Sequence, residues 1–138
     1  MNDFEYGRPR NETELLELLS PQPGATEVLA GGTDLVGLMK RMVVTPARVV
    51  DLGGIATLGQ IDRDTAGNLW IGAMVHLDQF VDSRETDAYP AVKQVIQGIS
   101  SIQLQAQGTI GGELLHRPKC WYYRNGHGLL ADRGRAVV

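Results

Sequence analysis

Leucines carry the first clear pattern. From Thr13 to Ser20 the chain reads as a short helix, with Leu15, Leu16, Leu18 and Leu19 on one apolar face and Asn11 or Thr13 as its N-cap. Pro21-Gln22-Pro23-Gly24 ends it. Glu27 to Ala30 then reads as a strand, Leu35 to Met42 as a helix, and Ala47 to Leu52 as a second strand begun after Pro46. Gly53-Gly54 is read as a structural turn. Leu58 to Asp62 and Asn68 to Gly72 form a hairpin joined by the turn-rich Arg63-Asp64-Thr65-Ala66-Gly67. A short helix follows at Leu77 to Val81. The cleanest helical period lies in Ala91 to Ser101, where Val92, Val95, Ile96 and Ile99 recur at i, i+3, i+4 and i+7 behind Tyr89-Pro90. Ile102 to Gln107 reads as extended. Glu113 to Tyr123 starts helical and is interrupted at Pro118, and Arg133 to Val138 shows no terminal element. The order predicts an α/β (α+β) fold with mixed strand pairing. A composition shift near residues 53–58 divides it into a first lobe, 1–57, and a second, 58–138.

Between these elements lie two glycine-rich loops, Ala30-Gly31-Gly32-Thr33-Asp34-Leu35 and Gly108-Thr109-Ile110-Gly111-Gly112. Paired glycines let the main chain approach a ligand closely. Thr33 and Thr109 add hydroxyls that can donate to phosphate oxygens, and a helix starting at such a loop aims free N–H groups at an anion. The first loop has the strand–turn–helix setting that gives such a motif meaning. Two cradles on one small chain, facing each other across a cleft between lobes, suggest a ligand with neighbouring phosphates, a dinucleotide. Asp34 carries like charge and is read as a helix cap or hydroxyl acceptor turned away from the phosphates.

Composition narrows the field further. The 138 residues suit one ordinary domain, and 43% hydrophobic with 21% charged residues is globular. A net charge of -3 and the lack of a basic run argue against nucleic acid, although Arg117, Lys119, Arg124, Arg133 and Arg135 make the last part locally basic. No apolar run is long enough to span a bilayer and no signal peptide is in view, so the expected setting is cytoplasmic, with export alongside a partner still open. Cys120 is the only cysteine, which excludes an intrachain disulfide.

The AGGTDL and GTIGG segments and their spacing resemble the FAD-binding medium subunit of the molybdenum hydroxylases, the group of xanthine dehydrogenases, aldehyde oxidoreductases and carbon monoxide dehydrogenases. Phe4-Glu5-Tyr6-Gly7-Arg8-Pro9, Val49-Val50-Asp51-Leu52 and Ile71-Gly72-Ala73 agree with it, and Arg117-Pro118-Lys119-Cys120-Trp121-Tyr122-Tyr123-Arg124 looks like a subgroup. The resemblance implies a two-lobed FAD-binding domain whose diphosphate lies against Ala30, Gly31, Gly32, Thr33, Asp34, Leu35, Thr109, Ile110, Gly111 and Gly112. It implies no catalytic acid or base on this chain. Substrate oxidation would belong to a molybdopterin-containing large subunit, with electrons passing through an iron–sulfur small subunit to FAD and on to an external acceptor. Two departures stand out. Glu113 occupies the place of an asparagine, and a carboxylate facing the diphosphate would repel it. The family also continues past the equivalent of Val138, so the second lobe is expected to be truncated.

Other residues have plainer readings. His76 is read as a cap or core-edge residue. His116, Cys120 and His127 supply three ligands where structural zinc takes four, so no metal is expected. Cys120 could not hold an iron–sulfur cluster alone. Trp121, Tyr122 and Tyr123 between two arginines are read as a packed edge or subunit contact. The alternative function is an assembly module that keeps the fold without flavin. An unrelated phosphate binder is disfavoured by the lack of a Gly-Lys-Ser/Thr motif.

Overall fold

A computed structural model of the chain describes residues 1–19, 21–22 and 24–127. The expected C-terminal stretch Arg133–Val138 lies outside the described residues, as do Ser20 at the end of the first predicted helix and Pro23 of the turn after it.

The first half is a parallel sheet with helical crossovers. Strands β1 (Glu5–Gly7), β2 (Thr26–Leu29) and β3 (Arg48–Asp51) lie in the order β1-β3-β2, all parallel. The middle strand carries Val49 and Val50, both buried, as a strand covered on two faces requires. Helix α1 (Glu12–Leu18) connects β1 to β2, and α2 (Leu35–Lys40) connects β2 to β3. Asn11 caps α1 by accepting from the Glu14 N–H at 2.9 Å, while Glu14 reaches back to the Arg10 N–H at 2.8 Å.

Helix α2 ends in a left-handed turn. The Met42 N–H donates to the Met39 carbonyl and the Val43 N–H to the Leu38 carbonyl, a Schellman closure. Met42 takes φ 60° there, a position that favours glycine.

The second half begins with short 3-10 turns at Leu52–Gly54 and Ala56–Gly59, then the antiparallel hairpin β4 (Ile61–Arg63) and β5 (Leu69–Ile71). Asp64 builds its turn, accepting from the Ala66 and Asn68 N–H groups, the Asn68 amide and the Trp70 indole. Helices α3 (Leu77–Asp82), α4 (Pro90–Gln97), α5 (Ile102–Gln107), α6 (Ile110–Leu114) and α7 (Trp121–Arg124) follow. Val75, Leu77, Phe80 and Ile96 form the buried core here, with Ile61, Ile71, Val81, Ile99 and Ile110 packed around it. Parallel and antiparallel pairing thus coexist, in separate sheets.

Several expectations need correction. β1 was absent from the predicted elements; three residues are too few to show a period. Ile102–Gln107 is helical and not extended, because Ser101 caps it by accepting from the Leu104 N–H at 3.3 Å. Leu58 belongs to a 3-10 turn, and the hairpin starts at Ile61. The predicted helix from Glu113 is shorter, α6 closing at Leu114 and α7 starting only at Trp121. In α4 only half of the predicted stripe is covered: Ile96 is 4% exposed, but Val92 and Val95 are 42% and 73% exposed. No helix among the described residues is long and apolar enough to cross a membrane.

Candidate functional site

The two glycine-rich loops meet. Main-chain bonds hold the second loop against residues 73–77: the Leu77 N–H donates to the Gly108 carbonyl, Ile110 to Val75 and Gly111 to Ala73, at 2.9–3.0 Å. The first loop then packs on the second so tightly that a Cβ on Gly31 would lie 1.7 Å from the Gln107 carbonyl oxygen. Gly111 packs likewise, its Cβ position 2.9 Å from the Ala73 oxygen. These two glycines therefore serve contact between main chains of the protein. Gly32 serves the turn itself, at φ +73°.

Between the loops opens a cleft of about 340 Å³. Ala30, Gly31, Gly32, Thr33, Asp34 and Leu35 line one side, and Thr109, Gly111 and Gly112 the other. Ile110 does not line it and packs toward the core instead.

The two loops differ in the donors they offer. In the second, the Ile110 and Gly111 N–H groups are spent on Val75 and Ala73, and the Gly112 N–H donates to the Thr109 hydroxyl oxygen at 3.1 Å. Thr109 is 1% exposed and acts as the N-cap of α6. The free helix N–H groups expected there are already used. In the first loop, by contrast, the main-chain N–H groups of Gly31, Gly32, Thr33, Asp34 and Leu35 donate to nothing among the described residues. Successive open N–H groups around a left-handed glycine form an anion-binding nest.

Asp34 is not the cap it was expected to be. It stands at the N-cap position of α2 without a capping hydrogen bond, and Arg124 grips its carboxylate through both terminal nitrogens, Nη2 lying 3.2 Å from Oδ2. Partial burial works against its ionisation, but the Arg124 hydrogen bonds and charge, with His116 beside them, hold the carboxyl below its ordinary range. A second clamp lies close by. Arg117 Nη2 donates to both oxygens of Glu27 at 2.6 Å, and Nη1 lies 3.4 Å from the Tyr123 hydroxyl. Burial disfavours the Arg117 cation, yet the bonds to Glu27 and Tyr123 push its pKa above the ordinary value. Residues 113–124 are thereby strapped across the first loop. Sequence reasoning missed both clamps, since the partners lie 90 positions apart.

Glu113, Leu115, His116 and Arg117 complete the cleft. Glu113 faces His116 at 3.2 Å instead of standing clear. His116, Cys120 and His127 do not gather: Cys120 is exposed, and His127 sets its ring edge-on to Tyr122. His76 holds the N-cap position of α3, pairing through its main chain with Thr109. Trp121 and Tyr122 are 70% and 62% exposed, so they are not a packed edge within this chain.

A parallel crossover sheet followed by a hairpin-and-helix layer, with open main-chain N–H groups in the cleft they share, defines an α/β domain with a candidate anion-binding cleft. Residues 2–120 match the family described as FAD binding domain in molybdopterin dehydrogenase, and the chain belongs to that family. It is 35% identical to the aldehyde oxidoreductase FAD-binding subunit PaoB of Escherichia coli (strain K12) over 89% of this chain and 38% of that protein. With the caffeine dehydrogenase subunit beta of Pseudomonas sp. (strain CBB1) the identity is 32%, over 80% of this chain and 38% of the relative. Two solved structures share the fold. Quinoline 2-oxidoreductase from Pseudomonas putida 86 aligns at TM-score 0.75 and 28% identity, over 83% of this chain and 40% of that one. The Cu,Mo-CO dehydrogenase aligns at 0.73 and 32%, over 79% and 38%. The chain thus spans about two fifths of the length of these relatives.

Proposed function

We propose that this chain holds FAD by its diphosphate in the cleft between Ala30–Leu35 and Thr109–Gly112, as part of the flavin subunit of a molybdenum hydroxylase-like oxidoreductase. The open N–H groups of Gly31 to Leu35 carry this reading. They offer a diphosphate several donors with no acceptor among the described residues. Thr33 is exposed at the rim and its hydroxyl is available to a phosphate oxygen. Thr109 acts one step back, fixing the turn that shapes the opposite wall. The cleft volume stands near the lower end for small-molecule sites, which suits the diphosphate and adjoining sugars and not a whole dinucleotide.

Bound FAD would supply electron transfer, and the chain's own part is to bind and orient it. On this reading residues 1–57 and 58–138 are the two lobes flanking the cofactor. The electrons would come from an iron–sulfur small subunit serving a molybdopterin-containing large subunit and leave to an external acceptor, in a cytoplasmic setting. No residue of the chain is assigned an acid–base step.

The test is flavin retention. The purified chain is incubated with FAD, desalted, and its absorption spectrum recorded, beside Thr33→Glu. An exposed rim substitution leaves folding nearly unchanged but sets a carboxylate against the diphosphate. Flavin bands kept by the parent and lost by the folded variant are expected. A folded parent that keeps no flavin would favour an assembly module, the reading suited to the carboxylates of Glu27, Asp34 and Glu113 at the cleft.

A further inference from the structure

Residues 116–127 are tied to the rest of the molecule by charge and by little else. Among the described residues, no main-chain N–H from Arg117 to His127 donates outside this segment, and that of His116 reaches back only to Glu113 in α6. Apolar packing adds little. Leu114 and Leu115, where the chain leaves α6, are 80% and 84% exposed, Trp121 and Tyr122 are exposed as well, and α7 buries no residue.

Two arginines do the fastening. Arg117 gives a hydrogen bond from Nη2 to each oxygen of Glu27 at 2.6 Å, and Arg124 holds Asp34 through both terminal nitrogens. Arg124 also donates to the Pro118 and Arg117 carbonyls, each at 3.1 Å. One side chain thus folds the segment on itself and ties it down. All four charged groups are partly buried, where a charge-assisted bidentate pair is worth more than on an open surface.

Both acidic partners belong to the cleft. Glu27 and Asp34 line it beside the open N–H groups, while Leu115, His116 and Arg117 are part of the segment they anchor and line it too. A segment with few buried apolar contacts opens locally far more readily than the core. Its departure would remove one wall of the cleft and uncover two carboxylates next to the anion donors.

We propose that residues 115–124 are a detachable wall of the cleft, latched by Arg117 to Glu27 and by Arg124 to Asp34. The two arginines are positioning residues: they prolong the stay of an anionic ligand by keeping the wall shut. The effect on the ligand rests on the cleft being the cofactor site; the latch itself does not. Glu27→Gln separates latch from charge. Removing a negative charge from the cleft would by itself slow the loss of an anion. Unfastening the wall would speed it.

The chain's three lysines let the opening be read directly. Lysyl endopeptidase cuts after Lys40 at the end of α2, Lys93 in α4 and the exposed Lys119 in the wall. A protease takes its substrate as an extended chain, and where reclosing outpaces cleavage the rate follows the population of the open form. Glu27→Gln and Arg124→Gln should each speed cleavage at Lys119 by roughly tenfold, with Lys40 and Lys93 holding within about twofold. Arg63→Gln, which breaks an exposed pair with Glu85, is the control and should change none of the three. In the parent, raising sodium chloride from about 0.05 to about 1 M should also speed Lys119 relative to the other two, and needs no variant. FAD release, followed by flavin fluorescence after dilution, should be several times faster in Glu27→Gln than in the parent. Cleavage at Lys119 that is unchanged, or that rises in step with Lys40 and Lys93, would overturn the latch. Selective opening with FAD release slowed or unchanged would overturn its part in retention. A parent that binds no FAD would overturn the cofactor reading and the retention role with it, while the cleavage pattern still decides the latch.

Discussion

Replacing Gly31 by alanine would set a methyl carbon 1.7 Å from the Gln107 carbonyl oxygen and 3.3 Å from the Gly108 Cα. The nearest atoms are main chain, so no side chain can swing aside. Ordinary contact begins about 2 Å further out, and the two loops must part by a distance of that order. Gln107 and Gly108 are not free to retreat, because Gly108 donates to Leu104 at 2.7 Å and accepts from Leu77 at 3.0 Å. The cost should reach the upper end of overpacking penalties, about 3 kcal/mol. For a chain of this size that lowers Tm by on the order of 10 °C. Gly37 provides the contrast. It lies within α2 with open space where its Cβ would go, so Gly37→Ala should raise stability by about 0.5–1 kcal/mol. Thermal and urea unfolding followed by circular dichroism compares the two variants directly, and flavin retention should fall with Gly31→Ala. A Gly31→Ala protein melting within a degree or two of the parent would refute the close loop contact and the geometry of the cleft derived from it.

Two further outcomes follow from local geometry. Met42→Gly relieves a left-handed position at φ 60° and should stabilise the chain by about 1 kcal/mol, read as a rise in the urea midpoint; a fall would mean that the half-exposed Met42 side chain packs usefully. The hydrogen bonds from Asn68 and Trp70 depress the Asp64 pKa to about 2. That depression makes the carboxylate stabilising at pH values above its unfolded pKa, and the contribution is lost as pH falls through about 2. The Trp70 indole N–H resonance, bonded to Asp64 at 3.1 Å, should titrate with that midpoint and lose the transition in Asp64→Ala; a midpoint near the ordinary carboxyl value would count against the turn as described.

The sequence alone determined the elements whose signals are local. The Asn11 cap of α1, the Pro90 start of α4, the Asp64–Gly67 turn and the strand–glycine–helix order around Gly31 are set by near neighbours and are legible, whereas the predicted leucine face of α1 is only partly covered, Leu16 being 69% exposed. The two glycine loops together mark the family and the candidate cleft. Tertiary structure decided what those glycines are for. Gly31 and Gly111 admit another stretch of main chain, and the free donors lie on one loop and not on both, because Ala73 and Val75 take those of the other. Asp34 reads as a cap from its position two residues past a glycine pair and just before a helix. Arg124 and His116, at the far end of the chain, turn it into an anchor instead. Pairings of that kind depend on how the chain returns on itself, which no periodicity records. The exposed side of α4 makes the same point: the Val92 and Val95 stripe shows which face is apolar, and only the packing of the other helices shows how much of it is covered.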